Sequence, residues 1–195
     1  MKRPAFLFVF AIAILGLTAA RADTYRIDSA RSSIAFGVHQ FLGLTKGKFT
    51  QFSGTISVDG EHPEQSSVSV QIPVRSIDTN IRKRDEHLLS PEFFDVSKYP
   101  QITFRSRAVQ RTGADSGDVT GDLSMHGVTR SVTLHIKLLT AASDGQLPAR
   151  TRWWVSTDPL KRKDFNLLFS STAETVSGIS QEVSPSITIE AVREK

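Results

Sequence analysis

Apolar residues recur at every second position through most of this chain. Ile34, Phe36 and Val38 alternate with Ala35, Gly37 and His39, and Val68, Val70, Ile72 and Val74 alternate with polar residues. Val132, Leu134, Ile136 and Leu138 repeat the pattern, and shorter runs hold Ile56 and Val58, Ile102, Phe104 and Ala108, Val119, Leu123 and Met125, and finally Ile187 and Ile189. A period of two gives a strand one apolar face and one polar face. The runs are separated by turn-forming stretches, "VDGEHP" at 58–63, "RTGADSGD" at 111–118, "MHGV" at 125–128 and "ASDGQLP" at 142–148. Connections this short make successive strands antiparallel neighbours. About eight strands with one good helix predict an all-β fold, either a sandwich or a closed up-and-down barrel. Closure has the advantage of leaving no exposed sheet edge.

One stretch breaks the alternation. "IRKRDEHLLSPEFFDVSKYP", residues 81–100, reads as a short charged helix with Asn80 as its N-cap and Pro91 opening a second turn after Ser90. Ile81, Leu88 and Leu89 recur at i, i+7 and i+8 on one helical face, which also holds Arg84 and Asp85. If this helix plugs one end of a barrel, Arg84, Asp85 and His87 rim or close that end, with Phe93 and Phe94 just beyond.

The first residues change the electrostatic picture. Lys2 and Arg3 precede an unbroken apolar run from Ala5 to Leu17, followed by Ala20-Arg21-Ala22. The run falls short of the roughly 20 residues of a membrane span, and the small residues suit a secretory signal cut after Ala22. The expected organisation is a signal at 1–22 and one domain at 23–195. The whole chain has 24 basic and 20 acidic residues, a net charge of +4; without Lys2, Arg3 and Arg21 there are 21 basic residues, and the charge falls to +1. A nucleic-acid partner is therefore not expected. The remaining 173 residues can bury a core without covalent staples, as an exported chain with no cysteine must. The same lack of cysteine removes the thiol that an acyl anchor or a thiolate metal site would use. A soluble periplasmic protein is the simplest expectation.

Candidate chemistry is sparse. No histidine pair has helical metal-ligand spacing, and neither a Gly-x-Ser-x-Gly elbow nor a phosphate-binding glycine loop occurs. No catalytic or metal site and no cofactor is expected. Arg84 and Asp85 have two readings, a structural ion pair, which is favoured, or contact with the polar head of a ligand. Either charge, if buried, needs a partner. His39 lies near the end of an apolar strand, a position that can border a mouth, and a hydrogen-bonded structural role is favoured there over a ligand contact. "LKRKDFN", residues 160–166, reads first as a solvated turn and second as a charged rim that attracts an acidic head group or a membrane surface. Trp153 and Trp154 are adjacent and point to opposite faces of a strand, so at most one readily lines an interior.

Several stretches taken together resemble the YceI-like family of secreted, lipocalin-like polyisoprenoid-binding bacterial proteins. They are "YRIDSARSSIAFGVHQFLGLTKGKFTQFSGTI", "VSVQIPVRSIDTN", "RDEHLLSPEFFDVSKYPQITFRS", "VTGDLSMHGVTRSVTL" and "KDFN", in an order that spans nearly the whole exported chain. The resemblance implies an eight-stranded antiparallel lipocalin-like barrel with a short helical insertion, whose apolar interior holds a long isoprenoid chain. Where the family commonly reads Asp-Phe-Gly, this chain has Asp164-Phe165-Asn166. Asn tolerates the left-handed backbone, so the turn is expected to survive with modest strain.

On this reading the protein is a non-enzymatic periplasmic binder that sequesters or transports a polyisoprenoid, whether a quinone or an isoprenoid alcohol or phosphate. Phe36, Val38, Phe104, Leu134, Ile136 and Trp153 are the candidate lining residues. Arg84, Asp85 and His39 are the candidate polar contacts. Transient contact with a membrane surface and homodimerisation are both compatible with it. Two rivals come from other classes: an enzyme acting on an amphipathic substrate, with His39 or His87 and Asp85 as acid and base, and a stress-response interaction scaffold.

Overall fold

The alternating runs become the walls of a closed meander. The structure, a computed structural model, describes residues 22–41, 43–140, 147–169 and 178–194. The expected export signal, apart from Ala22, lies outside the described residues. In chain order the elements are β1 (Asp23–Ile27), β2 (Ser33–Gln40), β3 (Gly43–Phe49), β4 (Ser53–Val58), β5 (Ser67–Pro73), β6 (Ile77–Asp78), α1 (Arg82–Leu89), β7 (Gln101–Arg111), β8 (Ser116–Met125), β9 (Val128–Leu138), β10 (Arg150–Ser156), β11 (Leu160–Lys161) and β12 (Glu182–Arg193). Antiparallel pairing runs β1-β4-β5-β7-β8-β9-β10-β12 and returns to β1, closing an eight-stranded barrel. β2 also pairs with β12, and β3 with β2 and β6, so β1–β2 and β3–β4 act as two long strands, each broken once. Closure satisfies every wall strand on both sides, which a free edge could not do.

An up-and-down meander places alternate connections at opposite ends. The connections leaving β2, β6, β8 and β10 therefore gather at the end that carries α1, while those leaving β4, β7 and β9 gather with the termini at the other. The β8–β9 connection has only two residues, His126 and Gly127, both with positive φ (50° and 74°). Two left-handed residues match the twist of the strands they join, so this hairpin is tight. His126 Nδ1 lies 3.1 Å from the Phe165 carbonyl oxygen, and its ring meets Tyr99 edge-on, which ties the β8–β9 turn to the connection before β12.

Two local expectations need correction. The N-cap of α1 is Ile81, in extended conformation, whose carbonyl accepts the Arg84 and Asp85 amides; Asn80 sits before it at φ 62°. Leu88 is buried but Ile81 is about half exposed, so the apolar stripe stops short of the helix start. On β7, the register shifts between Ser106 and Ala108, which turns Ala108 outward and brings Val109 to the interior. One extra residue reverses the faces of everything after it.

A polar cluster fastens the seam where the barrel closes. Arg150 on β10 donates to Asp28, just after β1, at 2.8 Å and approaches Glu190 on β12 at 3.4 Å. The Arg150 hydrogen bond is the chief reason the Asp28 carboxyl is held below its ordinary value of 3.8. A depressed folded value means that this stabilisation is fully present above the ordinary value and is lost as the pH falls through the folded one. The unfolding temperature is therefore expected to hold between about pH 7 and about pH 5 and to fall below about pH 4. Asp28→Asn should flatten part of that acid limb in thermal melts, and an unchanged limb would refute this role.

Candidate ligand-binding cavity

Inward-facing side chains leave the barrel hollow. Its cavity measures about 760 Å³, within the range of about 300–1,000 Å³ usual for small-molecule sites. The walls are dominated by apolar residues because every strand presents its alternate positions to the interior. Phe36 pairs across the sheet with Gly47, and its ring occupies the space a side chain at that glycine would need. Phe104 stands beside Val70 and Leu123, and Leu134 beside Val119. Phe36, Val38, Phe104, Leu134, Ile136 and Trp153 all line the cavity. Trp153 is anchored by its indole N–H, which donates to Thr151 Oγ1 at 3.0 Å, while Trp154 faces outward and is 47% exposed.

At the helix end the cavity meets aromatic rings and two guanidinium groups. Phe93 stacks on Phe169 with centroids 4.5 Å apart and meets Phe94 edge-on at 5.1 Å. These rings join Leu88, Ile77, Phe165 and Leu167 in one buried cluster, so the helix and residues 165–169 pack together at this end. Arg84 and Arg162 both line the cavity. Arg162 is only 5% exposed; it donates to the carbonyls of Ser180 at 3.0 Å and Leu167 at 2.9 Å and lies over the Phe169 ring at 5.0 Å. Arg84 donates to the hydroxyl and carbonyl oxygens of Thr79 at 2.8 and 2.7 Å.

The polar candidates separate. Arg84 reaches the cavity, but Asp85 does not line it: its carboxylate accepts from the Thr79 amide at 3.0 Å and from the Thr79 hydroxyl at 2.5 Å. The two charges thus meet on a shared threonine, 3% exposed, in place of the direct ion pair expected between them. The Thr79 hydroxyl donates to Asp85, which leaves its lone pairs to accept from Arg84. His39 falls on the outer face of β2 and is exposed, because it alternates with the inward Val38. His87 contacts Glu92 at 3.0 Å on the surface and does not line the cavity. The acid–base set of the enzyme reading is therefore not gathered at one place. Among the described residues no group of three or more histidines or carboxylates could hold a metal ion.

Arg162 was hidden by the charge of its neighbours. "LKRKDFN" reads as a solvated turn, and Lys161, Lys163 and Asp164 are indeed exposed. Arg162–Phe165 form one 3-10 turn, however, in which positions i and i+3 share a face, so Arg162 and Phe165 turn inward together. The apolar residue three positions after Arg162 was the available signal. Asn166 closes this turn at φ 56° and ψ 25°, the left-handed conformation anticipated for a residue standing in a glycine's place.

Known proteins share this architecture. The family model of the YceI-like domain matches residues 25–191. Protein YceI of Salmonella agona (strain SL483) is 36% identical over 199 residues, covering 100% of both chains. The crystal structure of BcnA from Burkholderia cenocepacia superposes with a TM-score of 0.75 at 25% identity, covering 85% of this chain and 99% of that one. A polyisoprenoid binding domain from Saccharophagus degradans, implicated in plant cell wall breakdown, has the same fold, with a TM-score of 0.64 at 22% identity over 87% of this chain and 98% of that one.

Proposed function

The chain belongs to the YceI-like family, and we propose that it is a periplasmic carrier that holds a polyisoprenoid lipid without converting it. The observation that carries this reading is the apolar cavity of about 760 Å³ inside a closed barrel, with Arg84 and Arg162 at one end. Burial of apolar chain contributes roughly 0.8 kcal/mol per CH₂, so each five-carbon isoprene unit gains on the order of 3–4 kcal/mol before ordering costs. The guanidinium groups favour an oxygen-bearing head at the helix end, as in a quinone, an isoprenoid alcohol or its phosphate. The shared fold with a polyisoprenoid binding domain supports the same ligand class. Export rests on the basic and apolar residues at the start of the chain.

Native mass spectrometry of protein taken from the periplasm, followed by organic extraction, tests the proposal. The expected result is one isoprenoid released per barrel. A barrel that arrives empty and takes up neither an added isoprenoid quinone nor an isoprenoid alcohol would overturn it. A labelled isoprenoid should also be recovered unaltered after long incubation; its conversion would favour the enzyme reading.

A further inference from the structure

Of the large apolar residues that the described surface exposes, four of six stand at the helix end. Phe41 (75% exposed) lies between β2 and β3, Leu44 (46%) is the second residue of β3, Ile81 (51%) precedes α1 and Leu168 (50%) lies between β11 and β12. They come from three separate parts of the chain, so no single strand pattern accounts for their meeting at one end. Each costs solvation in isolation and belongs to no core cluster.

The charges are sorted along the same axis. Lys46, Lys83, Lys161 and Lys163 are exposed at or near the helix end, and among the described residues none has a carboxylate within ion-pair distance. Other ionic groups there are already paired, Lys48 with Asp78, Arg82 with Glu86 and Lys98 with Asp95; among the described residues Asp164, Glu182, which stands across the ladder from Lys161, and Glu92, which contacts only His87, are the exposed carboxylates that oppose the four lysines. The opposite end exposes Glu61, Glu64 and Asp115 against Arg111. Arg26, Arg150, Arg152 and Arg193, around the closing seam, each have a carboxylate partner.

We propose that the helix end is a docking face for an anionic phospholipid bilayer, with Phe41, Leu44, Ile81 and Leu168 entering the interface and the unpaired lysines contacting acidic head groups. Single apolar tips rimmed by lysine suit a shallow, reversible membrane contact. A second copy of the chain fits this face less well, since a two-fold contact through it would set these lysines against their own copies. The same end carries Arg84, Arg162 and the Phe93–Phe169 stack. Docking would therefore bring the end of the cavity that holds Arg84 and Arg162 to the bilayer, a purpose that rests on the carrier reading although the surface itself does not.

The test uses the exported protein from Asp23 onward, where the closed barrel begins, with vesicles of phosphatidylcholine alone or mixed with phosphatidylglycerol. Co-sedimentation is expected to be at least tenfold stronger on the mixed vesicles and to weaken as salt is raised. The variant Phe41→Ser/Ile81→Ser/Leu168→Ser should lose at least tenfold of that binding while keeping its melting temperature and its uptake of isoprenoid alcohol from detergent. Equal binding to both vesicle types, no binding, or full binding by the variant would overturn the proposal. A dimer in sedimentation velocity that the variant abolishes would also overturn it, by assigning the face to a second copy. Vesicle binding without isoprenoid uptake would sink the carrier reading and leave the docking face standing; uptake without vesicle binding would do the reverse.

Discussion

Replacing Arg162 with methionine is expected to destabilise the barrel by about 3–5 kcal/mol, as much as truncating a buried aromatic side chain. Methionine keeps much of the stem's volume, so the loss isolates the guanidinium. Without it, the Ser180 and Leu167 carbonyls lose their donor in a site that is only 5% exposed. An unmet buried carbonyl costs about 1–3 kcal/mol, and the contact over Phe169 goes as well. The change should appear as a fall of roughly 10 °C in melting temperature and as an earlier midpoint in denaturant with an unchanged slope. Arg162→Lys should recover only part of it, because one ammonium nitrogen must serve two carbonyls that Nε and Nη1 of the guanidinium reach separately. A loss below about 1 kcal/mol would mean that water or a neighbour satisfies both carbonyls.

Leu134→Trp should abolish most lipid uptake and leave the fold nearly untouched. Leu134 points into the cavity from β9 beside Val119, with open volume beyond it. A larger side chain there enters vacant space, so the overpacking penalty of a filled core does not arise. Excluding one isoprene unit forfeits on the order of 3 kcal/mol, which corresponds to roughly 100-fold in affinity. Retention of a radiolabelled isoprenoid alcohol through gel filtration measures this, with Lys137→Trp on the outward face of the same strand as the control. Full retention by the Leu134 variant would show that the lipid lies elsewhere.

The inner wall was legible because it depends on a local rule. Period-two alternation put Phe36, Val38, Phe104, Leu134, Ile136 and Trp153 on one side of their strands, and neighbouring strands needed only to agree on which side was in. The rule failed where the backbone departs from the repeat. Ala108 was misplaced by the register shift after Ser106, and Arg162 was missed because a 3-10 turn set its direction. His39 obeyed the alternation, and that obedience sends it outward. Arg84 and Asp85 are charges that require partners, and the partner they share, Thr79, lies just after β6, where only the folded position of the helix brings it within their reach.

By itself the sequence determined the all-β class, the antiparallel order of the strands, the interrupting helix and the apolar side of each wall strand that keeps the two-residue repeat, since all of these follow from side-chain periodicity and turn chemistry along a few consecutive residues. Tertiary structure alone decided that the sheet closes through β12 onto β1, that the interior stays hollow, and that two arginines and an aromatic stack share one end. Those features depend on residues far apart in the chain, whose distances are set by closure and volume, and no local pattern encodes either quantity.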